Sequence, residues 1–543
     1  MTWLKRYWPY ILVTGAIMLP LLMPGYILTL DAVFTPRIPA PSSLSSDYLW
    51  QWLLHILNVV VPSQLIEKAI FIAIPLLAGI GMHQLLDWLR ERLGPSVKTF
   101  VWRPALYVGG LLYTVNPFTY DRFMAGQYGV LLGYALLPFI VRLLLAFAEK
   151  PTMRQGIHAA LLAVLISVLS LPTVGEIVLL AVCILGGAVW QRRKQPDVLR
   201  KYARYSAAML VLFIVLSSYW LVPALAGKGA IASQVAAFTA AHTEAFATTG
   251  GNIVTRLMAA LRLQGFWAEP HHLFLLPQDH TPAWGTIRLI VWAGVVAGAV
   301  MYWRKAKRLA ATFTAAGIAS TLIAAGLFGG ALAHAGYREP QKFVGVLALV
   351  FAVFVACGAA RLFAWARSRS ETQYAFAVGA ALFLVLLWTS PMYWGFASQL
   401  RPREYPEDWV KANNYLNAHP GNYNTVFLPW HQYMSFSFAG RIIASPAKHY
   451  FNTPVIISND PELGNITPPN GALPTKIGEV VKPAGNAQHL QAQLNDANVR
   501  YILLAKDFDF KKYGYLGSQP GLRRVLDLPK FSIYENKDWK GAR

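Results

Sequence analysis

About eleven apolar runs, most of them near the length that crosses a ~30 Å hydrocarbon core, fill the first four hundred residues and leave few folds open. They cover roughly residues 8–30, 65–89, 105–115, 128–147, 156–171, 174–190, 205–225, 287–303, 309–333, 343–364 and 375–396. Lipid offers no partner to an unpaired peptide group, so such runs must be helices. With 55% hydrophobic and 14% charged residues over 543 positions, the reading is a polytopic α-helical membrane protein.

Charge sets the topology. A formal charge of +22 suggests nucleic acid at first sight, but the cations gather in alternate connections. With the amino terminus inside, the inner connections hold Arg90, Arg92, Lys98 and Arg103; Lys150 and Arg154; Arg192, Arg193, Lys194, Arg200, Lys201 and Arg204; Arg304, Lys305, Lys307 and Arg308; and Arg361, Arg367 and Arg369. The outer ones hold fewer: Arg37, Arg122, Lys228, Arg256, Arg262, Arg338 and Lys342. That is the positive-inside bias of a multi-pass plasma-membrane protein, and it removes nucleic acid as a partner. Two basic flanks require an even number of crossings between residues 156 and 190, so the run is expected to break at LSLPTVG, at Pro172. Cys183 and Cys357 lie inside apolar runs and match no disulfide or metal spacing.

An odd number of crossings puts the carboxyl terminus outside. Residues 1–396 form the expected transmembrane domain, with outer loops at 31–64 and 227–286, the second containing amphipathic stretches suited to the membrane interface. From residue 397 the composition changes: TVFLP, PVIIS, VRYILLA and FSIYE read as strands, and PEDWVKANNYL and NAQHLQAQLND as helices. Residues 397–543 are therefore expected to form an extracytoplasmic α/β domain resting on the outer face of the bundle.

Polar residues of interest fall on that face. Asp31 closes the first run in GYILTLDAVFTP, and Asp47 follows SSLSS. Asp121 and Arg122 sit in NPFTYDRFMAGQ, Arg338, Glu339 and Lys342 in YREPQKF, and His431 in LPWHQY. Cations that hold a phosphate, together with a carboxylate that takes a proton from a nucleophile, suit chemistry on a phosphorylated lipid. Each residue also has a structural reading. Asp31 satisfies loop amides, Asp47 caps a helix, Asp121 pairs with Arg122 beside an NPF helix-ending turn, Arg338 pairs with Glu339, and His431 packs at a strand end. Inside the runs, Glu176 and His158 stand out, because an ionisable group in lipid is costly unless it snorkels or serves a path. No Walker, G-x-G-x-x-G, H-E-x-x-H or G-x-S-x-G motif is present.

LTLDAVFTP after a first helix, NPFTYDRFMAGQ as a second acidic loop, many helices and a carboxyl-terminal outer domain together resemble the GT-C superfamily of membrane glycosyltransferases. Its members include oligosaccharyltransferases, protein O-mannosyltransferases and mycobacterial arabinofuranosyltransferases. YREPQKF, YPEDWVKANNYLN and LPWHQYMSFSFAGRIIA are similar to large bacterial membrane proteins grouped with them. The resemblance implies a polyprenyl-phosphate-linked sugar donor, an envelope glycan, lipid or protein acceptor, and inversion at the anomeric carbon. Carried onto this chain, Asp31 is the general base. Asp121 orients the acceptor or binds a divalent metal ion, the one cofactor the resemblance leaves open. Arg122, Arg338 and Lys342, with Glu339, His431 and Asp47 nearby, serve substrate and lipid phosphate. The second loop lacks D-x-D and the outer domain lacks W-W-D. The alternatives are a lipid or polysaccharide transporter, with Glu176 and His158 lining a path, and an envelope scaffold.

Overall fold

The computed structural model describes residues 3–93, 99–236, 240–329, 337–460, 462, 472–482 and 489–541. It divides into two units: Met1–Pro20, Pro41–Leu53 and Ala69–Gln399 in the first, and Leu21–Ala40, Leu54–Lys68 and Leu400–Arg543 in the second.

The first unit is helical. In its amino-terminal half run α1 (Trp3–Met18), α2 (Tyr48–Val60), α3 (Ser63–Arg92), α4 (Thr99–Thr114), α5 (Pro117–Ala125), α6 (Tyr128–Glu149), α7 (Met153–Leu169), α8 (Leu171–Gln191) and α9 (Pro196–Leu225), the ends of α2 and α3 falling in the second unit. Among the described residues six helices are long and apolar enough to cross a membrane: α3, α6, α8, α9, Trp284–Lys305 and Pro340–Arg369. A bent pair, Glu371–Leu387 with Ser390–Ala397, makes up to seven, so the expected count of about eleven is not reached on length and composition. Shorter helices, among them α1, α4 and α7, occupy the other apolar runs.

Burial separates centre from rim. The Pro340–Arg369 stretch is 94% buried over its most apolar window, whereas α9 is 11% buried and exposes Leu210, Val211, Val215 and Leu225. So much exposed aliphatic surface on one helix is the surface that lipid covers. Small residues let the Trp284–Lys305 helix approach the central one. A Cβ on Gly298 would collide with the Phe354 carbonyl, and one on Gly358 would lie 2.6 Å from the Gly294 carbonyl oxygen.

Three expected boundaries are corrected. The first run was expected to be helical through Leu30, but α1 ends at Met18 and a 3-10 turn at Leu22. Pro20 and Pro24 remove amide donors, Gly25 takes φ 108°, and the chain continues extended. The last run was expected to stay helical to Phe396, but it bends by 67° after Leu387, at the break before Ser390–Ala397. The 309–333 run stops its helix at Ala324, and residues 330–336 lie outside the described ones. The break expected at LSLPTVG falls at Ser170, with Pro172 in the first turn of α8.

The second unit is built on a five-stranded sheet of order β4-β1-β5-β7-β6, from β1 (Asn424–Leu428), β4 (Val455–Ile456), β5 (Val499–Ala505), β6 (Leu522–Asp527) and β7 (Phe531–Asn536). β4, β1 and β5 are parallel; β7 and β6 continue antiparallel. Alternation along β1 sends Val426 and Leu428 into a core with Ile477, Val481, Leu494, Ile502 and Leu504. Phe427 faces the other way, onto Trp409 of the Glu407–Ala418 helix, which is fully buried and also touches Phe436, Phe451 and Phe531. A hairpin of β2 (Tyr433–Phe436) and β3 (Arg441–Ala444) completes the set, its turn closed by Gly440 at φ 68°.

The extended segment after α1 belongs to this unit through its backbone. Tyr26 and Arg403 exchange both peptide hydrogen bonds, at 2.8 and 2.9 Å, and Ala444 N–H donates to the Leu30 carbonyl at 2.8 Å. Tyr405 donates to the Phe34 carbonyl at 2.9 Å, and Arg37 to that of Phe451 at 3.0 Å.

Candidate functional site

In the helical unit the charged residues gather at α5 and at the entry to the central helix. Asn116 caps α5 by accepting the Thr119 N–H, Thr119 returns the bond, Pro117 opens the first turn, and Gly126 closes the helix at φ 75°. NPF therefore starts a helix as well as ending one. The second acidic loop is this helix, and all nine of its residues are buried.

Neighbours on a helix point apart, so Asp121 and Arg122 find different partners instead of each other. Arg122 Nη1 donates to Gln127 Oε1 at 2.7 Å and to Glu339 Oε2 at 3.2 Å, its guanidinium 4.4 Å from the centre of the Phe266 ring. Glu339 precedes the Pro340–Phe343 turn, whose spacing carries Lys342 Nζ to 3.1 Å from Glu339 Oε1. Arg338 Nε lies 3.6 Å from the same oxygen, and its guanidinium covers Phe246 at 4.4 Å. Three cations thus surround one carboxylate. Exposure divides them: Arg122 is 1% exposed and Lys342 11%, while Arg338 is 44% exposed. Burial alone pushes Glu339 up, but Lys342, Arg122 and Arg338 outweigh it and hold the carboxyl well below its ordinary range.

Asp121 faces Glu269, a residue the sequence did not single out. The two carboxyls share a hydrogen bond, and burial, then the Glu269 charge, push Asp121 well above its ordinary value. Glu269 is raised by burial but opposed by the N–H groups of Gly265 (2.7 Å) and Phe266 (2.9 Å) and by Thr249 Oγ1 (3.3 Å). Burial and the Glu269 charge thus favour the protonated form of Asp121, while the two backbone N–H groups favour the charged form of Glu269. Glu176 of α8 is buried, within electrostatic reach of Lys342 and Arg122, and His158 stands exposed on α7. Asp121 Oδ1, Arg122 Nε, Glu176 Oε2 and both amide atoms of Gln341 are buried with no hydrogen-bond partner among the described residues. That is unspent polar capacity in one small region.

Asp47 is the residue before α2; its carbonyl accepts the Gln51 N–H, and its carboxylate accepts from the Ser45 hydroxyl and the Gln51 amide. Among the described residues no group of three or more His, Cys, Asp or Glu side chains is arranged to hold a metal ion.

In the second unit Asp31 is exposed at the tip of a tight turn in which Thr29 N–H donates to the Ala32 carbonyl at 3.1 Å. The Tyr433 hydroxyl donates to Asp31 Oδ1 at 2.9 Å. His431 stands between two carboxylates, Nδ1 2.7 Å from Glu462 Oε1 and Nε2 3.2 Å from Asp509 Oδ1. The Glu462 hydrogen bond foremost raises the imidazole above its ordinary value against its burial. Of the residues expected from sequence, the structure gathers Arg122, Arg338 and Lys342 around the Glu339 carboxylate and sets Asp121 beside Arg122 on α5. Asp31 and His431 fall in the other unit.

A multi-pass helical unit joined to a carboxyl-terminal sheet unit is a fold the chain shares with a solved membrane glycosyltransferase. No protein-family profile and no curated protein matches the sequence. Among solved structures the chain is similar to the arabinofuranosyltransferase AftD from Mycobacteria, with a TM-score of 0.63 and 15% identity over 99% of this chain and 40% of that one. A variant form of that enzyme gives 0.63 and 14% over 99% and 41%. The oligosaccharyltransferase of Archaeoglobus fulgidus gives 0.44 and 11% over 98% and 71%, too low a score to carry weight. The chain spans about two fifths of the AftD structures' length, and at such identity the likeness is one of fold.

Proposed function

We propose that the protein is an integral membrane glycosyltransferase of the plasma membrane, with its amino terminus cytoplasmic. In this reading it transfers a sugar from a polyprenyl-phosphate-linked donor to a cell-envelope acceptor on the outer face. The acceptor hydroxyl gives its proton to Asp31 as its oxygen attacks the anomeric carbon. The bond from that carbon to the phosphate oxygen breaks, and polyprenyl phosphate departs. A phosphate monoester is a good leaving group, so the need is for positive charge rather than an acid. Arg338 meets the phosphate, and Lys342 and Arg122 supply the field behind it. Asp121 acts through Glu269 as an orienting group.

The observation that carries this reading is the excess of cations over carboxylate around Glu339, with Arg338 as its exposed member, in a chain of GT-C fold. The test is reconstitution with labelled polyprenyl-phosphate sugars and envelope extract, comparing the natural chain with Asp31→Asn. Transfer is expected to fall by about 10²–10⁴; undiminished transfer by the variant removes Asp31 as base.

A further inference from the structure

The second unit brings Asp31 together with residues about 400 positions away and holds it there. Tyr433 opens β2, and its partner across the hairpin is Ala444. Ala444 donates its N–H to the Leu30 carbonyl, so a backbone hydrogen bond ties Leu30 to β3. That bond fixes the residue before Asp31. On the other side the Ala32 carbonyl accepts from the Thr29 N–H and, at 3.4 Å, from the Thr29 hydroxyl, and the Phe34 carbonyl accepts from Tyr405. Backbone atoms on both flanks of Asp31 are thereby tied down, and the Tyr433 hydroxyl at 2.9 Å fixes the carboxylate itself.

We infer that Tyr433, carried on the β2–β3 hairpin, is a positioning residue for the proton transfer. This rests on the reading of Asp31 as general base. An exposed aspartate samples several rotamers, and only some aim an oxygen at an acceptor hydroxyl. A hydroxyl donating to Oδ1 selects among them. A tyrosine suits the task because its rigid ring carries the donor to a set distance and loses little freedom there.

The experiment uses the full chain in lipid nanodiscs with radiolabelled polyprenyl-phosphate arabinofuranose, mannose and glucose as donor probes and envelope extract as acceptor. Four proteins are compared: the natural chain, Asp31→Asn, Tyr433→Phe and Ser435→Ala, the last on the same strand as a control. Tyr433→Phe is expected to lower kcat about tenfold while leaving donor KM and Tm unchanged, and Ser435→Ala to match the natural chain. If Asp31→Asn loses transfer but Tyr433→Phe keeps the natural kcat, the hairpin inference fails and the base reading stands. If Asp31→Asn keeps transfer, both fail. A Tyr433→Phe protein whose KM and Tm move together with kcat has lost structure rather than positioning, which also overturns the inference. A natural chain that transfers from none of the probes overturns both.

Discussion

Glu339 and Asp31 are both carboxylates, yet one is sealed at 2% exposure beneath three cations and the other stands exposed at the tip of a turn. Glu339 is fixed by charge, because in a low-dielectric setting Arg122 and Lys342 need it as much as it needs them. Asp31 is held through its backbone neighbours, and the Tyr433 hydroxyl donates to its side chain. A charge network resists removal of any member. A hydrogen-bonded tip leaves its carboxylate exposed to water. The first arrangement suits a standing electrostatic field, and the second suits the general base proposed above.

The contrast predicts opposite responses to substitution. Asp31→Asn should lower transfer by about 10²–10⁴ with no change in Tm, measured on the same preparation by product formation and by scanning calorimetry. Glu339→Ala should do the reverse in kind. Stranding Arg122 and Lys342 without their carboxylate should cost about 3–5 kcal/mol, seen as a large fall in Tm or failure to accumulate; a stable Glu339→Ala protein would break the contrast. Arg338→Ala, at the exposed edge, should raise donor KM by about tenfold and leave Tm nearly unchanged, since charge-assisted hydrogen bonds contribute about 1.5–3 kcal/mol where they are made.

Acidity offers the finest test. The Glu339 carboxyl drops from 4.5 to about 2 on folding, so its contribution is fully present above pH 4.5 and is lost as pH falls toward 2. Tm should decline along that limb in the natural chain and less steeply in Glu339→Gln. Asp121 has the opposite sign: its value is raised on folding, so its contribution is present at low pH and lost as pH rises through the folded value. Asp121→Asn keeps a donor toward Glu269 without a titrating proton. It should flatten the alkaline side of the Tm profile and change stability at neutral pH by only about 0.5–1 kcal/mol.

Much of the scaffold was readable from the sequence because apolar runs have one outcome in lipid. The strands at TVFLP, PVIIS, VRYILLA and FSIYE carried their β-branched and aromatic pattern openly, and all four appear as β1, β4, β5 and β7. The G-V-V-A-G spacing at Gly294 and Gly298 was an available sign of close helix contact that the charge-led reading passed over. β2 and β3 were harder, being four residues each. Of the charged cluster, REPQKF was legible because its i,i+3 spacing is local. Glu269 was not, because FWAEPHH has no periodicity and its meeting with Asp121 joins distant parts of the chain. The NPF turn misled because one asparagine ends α4's neighbourhood and caps α5 at once.

The extended segment after α1 also has a place in time. Its residues leave the ribosome long before their partners do: Thr35 and His449, joined by a hydrogen bond, are 414 residues apart. At roughly 5–20 residues per second, translation brings the second half of that pairing about 20–80 s after the first. Until β3 emerges the Leu30 carbonyl has no strand to join, and Asp31 has no hairpin at its side. The helices between the two segments can thus thread into the bilayer well before Leu30 and Asp31 have the partners that hold them.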